Sequence, residues 1–118
     1  GVAVPAEPNG VEGGEESGRN GAEEAMPLRF GIGGYPNPFN PETELVIELP
    51  EPGPIRVEVF DLQGRRVKLL ADGFYMQGLH KMRWNAQDAH ELPVAAGVYW
   101  ARLSAGARRE AHKMVVLR

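Results

Sequence analysis

Apolar and polar residues alternate with a period of two along several short stretches of the chain. Residues 44–49 and 55–60 carry an apolar side chain at every second position, and the polar Arg56 and Glu58 fall between the apolar residues of the second stretch. Such alternation is typical of strands with one buried face. Strands are predicted at residues 44–49, 55–60, 66–70, 79–84, 98–103 and 109–117.

Turn signals separate these stretches. Three prolines interrupt residues 50–54, and residues 104–107 read as a tight turn around Gly106. Asp61 and Gly64 predict a hairpin with a bulge, because Asp accepts backbone hydrogen bonds and Gly adopts positive φ. No window sustains a helical period. Six or seven short strands over about 92 residues predict an all-β fold, an immunoglobulin-like antiparallel β-sandwich of about seven strands.

The alternation also predicts which side chains fill the interior of the sandwich. A dozen apolar residues fall on the inward faces of the predicted strands. They are Leu45, Ile47, Leu49, Ile55, Val57, Val59, Leu69, Trp84, Tyr99, Leu103, Met114 and Val116.

Charge divides the chain into two parts. Residues 1–26 hold six glutamates, one arginine, six glycines and no aromatic residue, a net charge of −5. Such a segment buries too little apolar surface to offset its ordering entropy, and we expect a flexible acidic linker. Because the whole chain carries −3, the predicted domain at residues 27–118 carries about +2.

Composition excludes several classes of function. With no cysteine there is no disulfide, thiol nucleophile or cysteine-ligated zinc, and the net charge of −3 argues against a nucleic-acid partner. No apolar stretch is long enough for a membrane helix, and without a leader at Gly1 we expect a piece of a longer protein. No phosphate-loop, dinucleotide or GxSxG pattern occurs. We therefore expect no enzyme, cofactor or metal site.

Metal chemistry has little support. The three histidines lie in different predicted elements and lack metal-ligand spacing. A weak calcium site at Asp72, Asp88 and Glu91 is the alternative, since all three carboxylates lie in predicted loops.

A set of motifs recurs in one order along residues 30–118. They are YPNPFNP at 35–41, VFDLQGR at 59–65, Gly78-x-His80, Trp84, AGVY at 96–99, Arg102-Leu103 and KMVVLR at 113–118. In this order the chain resembles the C-terminal sorting domain of type IX secretion substrates, the Por secretion sorting domain. That family is related to the immunoglobulin-like domain of the flagellar hook-capping protein.

The resemblance implies a targeting function. Such a domain directs a larger exported Bacteroidetes protein across the periplasm to the outer-membrane surface or the extracellular space. The implied partners are the outer-membrane type IX translocon, a processing protease and the upstream cargo domain, with attachment of the processed cargo to surface lipopolysaccharide.

The resemblance also assigns the candidate site residues. The recognition signal would be Lys113, Met114, Val115, Val116, Leu117 and Arg118. Thirteen further motif residues are expected to be structural: Tyr35, Pro36, Asn37, Pro38, Phe39, Asn40, Pro41, Asp61, Gly64, Arg65, Trp84, Gly97 and Tyr99. The last strand is either an ordinary strand or an edge that a receptor pairs with through unmet backbone groups.

Two expectations concern the aromatic residues. Tyr99 is expected to form a tyrosine corner, its hydroxyl tied to the backbone. The alternative function is an accessory carbohydrate-binding module with a platform of Trp84 and Trp100, or a plain spacer module of a secreted enzyme.

One departure from the family pattern is the loop after Trp84, where residues 85–93 contain no glycine.

Overall fold

The computed structural model describes residues 27–118, and the predicted acidic linker at residues 1–26 lies outside this range. Seven strands make up the described domain. They are β1 (Gly31–Tyr35), β2 (Thr43–Leu49), β3 (Gly53–Phe60), β4 (Arg66–Tyr75), β5 (Gly78–Trp84), β6 (Gly97–Ala105) and β7 (Arg108–Val116). Within residues 27–118 no helix could span a membrane.

The strands form two sheets, one of three strands in the order β1-β2-β5 and one of four in the order β4-β3-β6-β7. Every neighbouring pair is antiparallel. The predicted seven-stranded antiparallel sandwich is confirmed. Because β1 and β7 are both edge strands, the two ends of the domain lie at sheet edges.

Three aromatic residues pack together inside one end of the sandwich. The ring of Trp84 lies edge-on to Phe39 at 5.8 Å and to Tyr99 at 5.5 Å between ring centroids. Such edge-to-face pairs contribute about 0.5–1.5 kcal/mol each beyond the area they bury. All of the predicted core residues except Leu69 are buried.

Leu69 was predicted to point inward, and this was wrong: 37% of its surface is exposed. The register of β3 against β4 shifts, so that Val57 lies opposite Ala71 while the next residue, Glu58, lies opposite Leu69. The extra residue, Leu70, packs against the core. A bulge of this kind turns over the alternation of a strand. Strand β4 also continues to Tyr75, five residues beyond the predicted end.

Strand β1 was not among the predicted strands, because a run of glycines has no hydrophobic alternation. It pairs with β2, and Gly34 lies opposite Leu45. A Cβ at Gly34 would lie 2.9 Å from the Leu45 side chain and 3.1 Å from Nε2 of His112 on β7. Glycine at this position lets the edges of the two sheets approach each other.

Two loops of the domain have the same hydrogen bonds. In the β3–β4 loop, Oδ1 of Asp61 accepts from the backbone N–H groups of Gln63 and Arg65, both at 2.9 Å. In the β5–β6 connection, Oδ1 of Asp88 accepts from those of His90 and Leu92 at 2.9 and 3.0 Å. The predicted hairpin at 61–65 is therefore repeated at 88–92.

The fourth residue of each loop has positive φ. It is Gly64 (φ 84°) in the first loop and Glu91 (φ 63°) in the second. The turn geometry of residues 88–92 is kept without a glycine, since the Asp88 carboxylate and the backbone bonds hold it. Glu91 bears the strain that glycine avoids.

Replacing Glu91 by glycine should raise the free energy of unfolding by about 0.5–1 kcal/mol, because relief of the left-handed strain exceeds the added entropy of the unfolded chain. Urea denaturation of the purified domain measures this difference. The matched variant Gly64→Glu should lower the free energy of unfolding by about 1 kcal/mol, because it places a side chain at a left-handed position. A destabilised Glu91→Gly protein would contradict the strain at this loop.

Candidate functional site

Two motifs from opposite ends of the domain lie side by side in the structure. The segment 113–118, which we call the C-terminal segment, contains the end of the edge strand β7. Residues 35–41, the proline loop, connect β1 to β2 and run along the outer edge of this strand. Asn37 is thereby hydrogen-bonded to Lys113 and Val115, which lie 76 and 78 positions later in the chain.

Asn37 makes the first half of this contact with its side chain. Its Nδ2 donates to the carbonyl oxygen of Lys113 at 2.7 Å, and its Oδ1 accepts from the N–H of Val115 at 2.9 Å. One amide side chain thus satisfies an acceptor and a donor of the edge strand, as a backbone peptide group of a neighbouring strand would.

Phe39 makes the second half with its backbone. Its N–H donates to the Val115 carbonyl at 3.0 Å, and its carbonyl accepts from the N–H of Leu117 at 2.9 Å. Phe39 and Val116 form a parallel bridge. The Phe39 side chain is buried in the aromatic cluster described above. The loop therefore covers the edge of β7 and seals the core at the same place.

Of the two alternatives for the last strand, the open edge is contradicted where the proline loop lies along it. The outward backbone groups of Lys113 (C=O), Val115 and Leu117 (N–H) are bonded to the proline loop. A receptor strand could pair here only after the loop had left. The physical reason is that an exposed strand edge invites aggregation, and this domain covers the end of its edge with its own chain.

Three of the six side chains of the C-terminal segment also pack or form hydrogen bonds within the domain. Met114 and Val116 are buried in the core. The guanidinium of Arg118 donates from Nε to the carbonyl of Val94 and from Nη2 to that of Ala86, both at 3.0 Å. The side chains of Lys113, Val115 and Leu117 alternate to the outer face of the four-stranded sheet.

Several of the expected structural motif residues hold loops in place. The Tyr99 hydroxyl donates to the Ala95 carbonyl at 2.7 Å, so the expected tyrosine corner is present, and burial raises the pKa of Tyr99. Nε1 of Trp84 donates to the Gln87 carbonyl at 2.9 Å. Gly97 begins β6 at φ 147°.

Asp61 and Arg65 stabilise the β3–β4 loop. The carboxylate accepts from the backbone N–H of Arg65, and its Oδ2 lies 3.0 Å from Nε of the same residue. These hydrogen bonds, chiefly the backbone bond from Arg65, lower the pKa of Asp61. The backbone N–H groups of Leu92 and His90 lower the pKa of Asp88 in the same way.

The proline loop exposes most of its other residues. The Pro36 carbonyl accepts from Oγ1 of buried Thr43 at 2.8 Å, which fixes the loop to the start of β2. The exposed residues of the loop are Tyr35, Pro36, Asn37, Pro38, Asn40 and Pro41.

The prediction of a carbohydrate-binding platform of Trp84 and Trp100 was wrong. Trp84 is 1% exposed, and its indole nitrogen is hydrogen-bonded inside the domain. Trp100, the neighbour of inward-facing Tyr99, lies on the opposite face of β6 and is 39% exposed. The two indoles therefore lie on different sides of the four-stranded sheet, and a sugar ring cannot stack on both.

Among residues 27–118 no group of three His, Asp or Glu side chains could hold a metal ion. His80 contacts the Met76 carbonyl through Nε2 at 2.6 Å. His112 lies on the inward side of β7, and its Nε2 is buried without a hydrogen-bond partner. Burial lowers the pKa of His112.

Sequence reasoning missed a buried carboxylate on the outer face of the sandwich. Glu58 alternates with core residues and was expected in water, but it is only 5% exposed. It lies between Nη1 of Arg66 at 3.1 Å and Nη2 of Arg102 at 3.2 Å. Glu58 pairs with Arg102 across the sheet, a register that the sequence alone does not specify.

Residues 34–117 match the model of a protein family described as the secretion system C-terminal sorting domain. Domains of this type mark proteins that type IX secretion exports through the periplasm to the cell surface or the extracellular space. The family is generally non-catalytic. No curated protein matches the chain in sequence.

Two solved structures from Porphyromonas gingivalis are similar in fold. Dimeric latent PorU superposes with a TM-score of 0.59 at 19% identity, over 73% of this chain and 9% of PorU. PorZ, an essential surface component of the type IX secretion system, gives 0.48 at 20% identity, over 83% of this chain and 13% of PorZ. The chain thus spans about a tenth of these proteins, and the PorU likeness shows the fold.

Replacing Asn37 by alanine should lower the free energy of unfolding by about 1–3 kcal/mol, because two backbone hydrogen bonds of β7 lose their partner. Amide exchange at Val115 should accelerate more than at Leu117, which stays bonded to Phe39. Denaturation and hydrogen exchange measure both effects. Asn40→Ala, at an exposed position of the same loop, is the control. Equal exchange at Val115 in both variants would contradict the role of Asn37.

The stability of the domain should fall as the pH drops below about 6.5, the ordinary pKa of histidine. Burial depresses the pKa of folded His112, so the unfolded state binds the proton first and is favoured. Urea denaturation from pH 7.5 to 5.5 should show a smaller loss for His112→Gln than for the original protein. Parallel pH profiles would contradict this assignment.

Proposed function

The chain belongs to the secretion system C-terminal sorting domain family, and we propose on this premise that it directs a larger upstream protein through type IX secretion to the cell surface. The observation that carries the proposal is the family match over residues 34–117, nearly the whole described domain. The sorting role belongs to the family. That this chain delivers an upstream cargo, and which surfaces are recognised, are our proposals.

The folded domain supports recognition as a unit. Its C-terminal segment is bonded to the proline loop, its Met114 and Val116 lie in the core, and Arg118 binds the loop that follows β5. A receptor that reads the outward side chains of this segment therefore reads a surface that exists only when the domain has folded. The translocon would thus select a folded domain.

We propose no catalytic role for the domain. Its acidic turn residues have their carboxylates bound to backbone N–H groups: Asp61 to those of Gln63 and Arg65, and Asp88 to those of His90 and Leu92. The buried Glu58 is neutralised by two arginines. These groups serve the fold, which agrees with the generally non-catalytic character of the family.

Residues 1–26 would serve as the spacer between cargo and domain. Their composition of six glutamates, six glycines and two prolines suits a solvated linker that a processing protease can cleave. The proposed partners are the outer-membrane translocon, the processing protease and the upstream cargo, with surface lipopolysaccharide as the attachment point after processing.

Removal of the whole C-terminal segment would not test recognition. It would take Met114 and Val116 out of the core and leave the Asn37 and Phe39 groups without partners. Burial of two such side chains contributes about 3–6 kcal/mol, a large part of the stability of a small domain. Loss of export would then report unfolding. The complete domain is the informative unit.

Export of a reporter tests the proposal. Residues 1–118 are fused behind a signal peptide and a fluorescent cargo, in a bacterium with type IX secretion and in a strain whose translocon is inactive. We expect surface fluorescence in the first strain and periplasmic fluorescence in the second, because the domain supplies the address. Cell fractionation measures the distribution.

A cargo with residues 1–26 alone is the control and should stay in the periplasm of both strains. Periplasmic retention of the complete fusion in the secreting strain would contradict the proposed function.

A further inference from the structure

We propose that the secretion receptor docks on the outer face of β6 and β7, on a patch with an apolar centre and a cationic rim, and that the matching receptor surface carries carboxylates around an apolar centre. The centre consists of Phe60, Trp100, Val115 and Leu117, and the rim of Arg102 and Lys113; we call this set the Trp100 patch. The inference rests on the proposed function and names the surface that performs it.

The strand register brings these residues together from three segments. Trp100 lies opposite Phe60 of β3 on one side and opposite Lys113 of β7 on the other. Directly paired residues share a face of the sheet, so these three side chains form one row. Val115 follows two positions after Lys113, and Leu117 continues the alternation. The outward side chains of the C-terminal segment and the exposed Trp100 thus lie on one surface.

The centre of the patch has apolar area to bury. Trp100 is 39% exposed and Leu117 is 48% exposed. Aromatic residues and arginine are enriched where protein interfaces bind most strongly. The guanidinium carbon of Arg102 lies 4.4 Å from the centre of the Phe60 ring, which holds both side chains in place before a partner arrives.

The charge of the patch indicates the chemistry of its partner. Among the described residues, two carboxylates lie near this end of the face. Glu58 is buried between Arg66 and Arg102, and the carboxylate of Asp61 is bonded to Arg65 and to backbone N–H groups. The groups that reach solvent around Trp100 are therefore cationic, with Lys113 and Arg66 exposed. A receptor surface with carboxylates around an apolar centre complements this arrangement and would also speed the encounter.

The hydrogen bonds of the C-terminal segment favour docking on the face of the four-stranded sheet over strand pairing at the edge of β7. Four backbone groups along its outer edge, the carbonyls of Lys113 and Val115 and the N–H groups of Val115 and Leu117, are bonded to the proline loop. Its inward side chains lie in the core. Its free recognition elements are the outward side chains, which lie in the Trp100 patch. Docking on this face needs no displacement of the proline loop.

Substitutions at outward positions of the patch test this inference in the export assay. We expect Leu117→Asp and Lys113→Glu each to reduce surface delivery of the reporter at least tenfold, because one places a charge in the apolar centre and the other reverses the rim. Lys113→Arg should export normally, since it keeps the charge. Thermal unfolding of the purified domain should change by only a few degrees in all three variants.

Matched controls lie on the other sheet. Leu79→Asp and Lys81→Glu introduce the same changes at exposed positions of β5. They should leave export unchanged if the Trp100 patch is the docking surface.

The outcomes separate the two proposals. If the original fusion reaches the surface and the Leu117 and Lys113 variants do so equally well, the Trp100 patch is wrong and the sorting function stands. Equal losses in the β5 controls would likewise overturn the patch. If the original fusion stays in the periplasm of the secreting strain, the sorting function itself fails, and the patch with it.

Discussion

The pairing of the proline loop with the edge of the last strand is the contact on which the rest of the domain depends. It joins a residue pair 78 positions apart through the amide of Asn37, and it places the Phe39 side chain against Trp84. Buried backbone groups and strand edges both require partners. This one contact satisfies the edge of β7 and closes the aromatic core, so that the two ends of the domain must fold together.

This arrangement couples the proposed sorting signal to the folded state. Met114 and Val116 face the core, while Lys113, Val115 and Leu117 face outward from the same strand. A single stretch of six residues thus supplies core packing and a surface. A substitution at an inward position of such a stretch changes stability together with any recognition, and only the outward positions separate the two effects. The same reasoning applies to Trp100, whose neighbour Tyr99 is a core residue.

Local interactions explain why the loops tolerate variation. The carboxylates of Asp61 and Asp88 organise two five-residue loops with the same hydrogen bonds, although one has glycine and the other Glu91 at the positive-φ position. A side chain that satisfies two backbone donors stabilises a turn enough to impose an unfavourable φ on its neighbour. The absence of a glycine after Trp84 therefore changed the strain of the loop and left its geometry intact.

The sequence by itself determined the class of fold, most strands, nearly all of the core, the hairpin at Asp61 and the tyrosine corner. All of these depend on local patterns: a period of two, turn residues and an aromatic beside a strand start. The tertiary structure alone decided that β1 is a strand, that the bulge turns Leu69 outward, that Glu58 is buried between two arginines, and that Asn37 covers the edge of β7. Each of these depends on which segments become neighbours and in which register, and a one-residue shift changes every partner while leaving the local pattern unchanged.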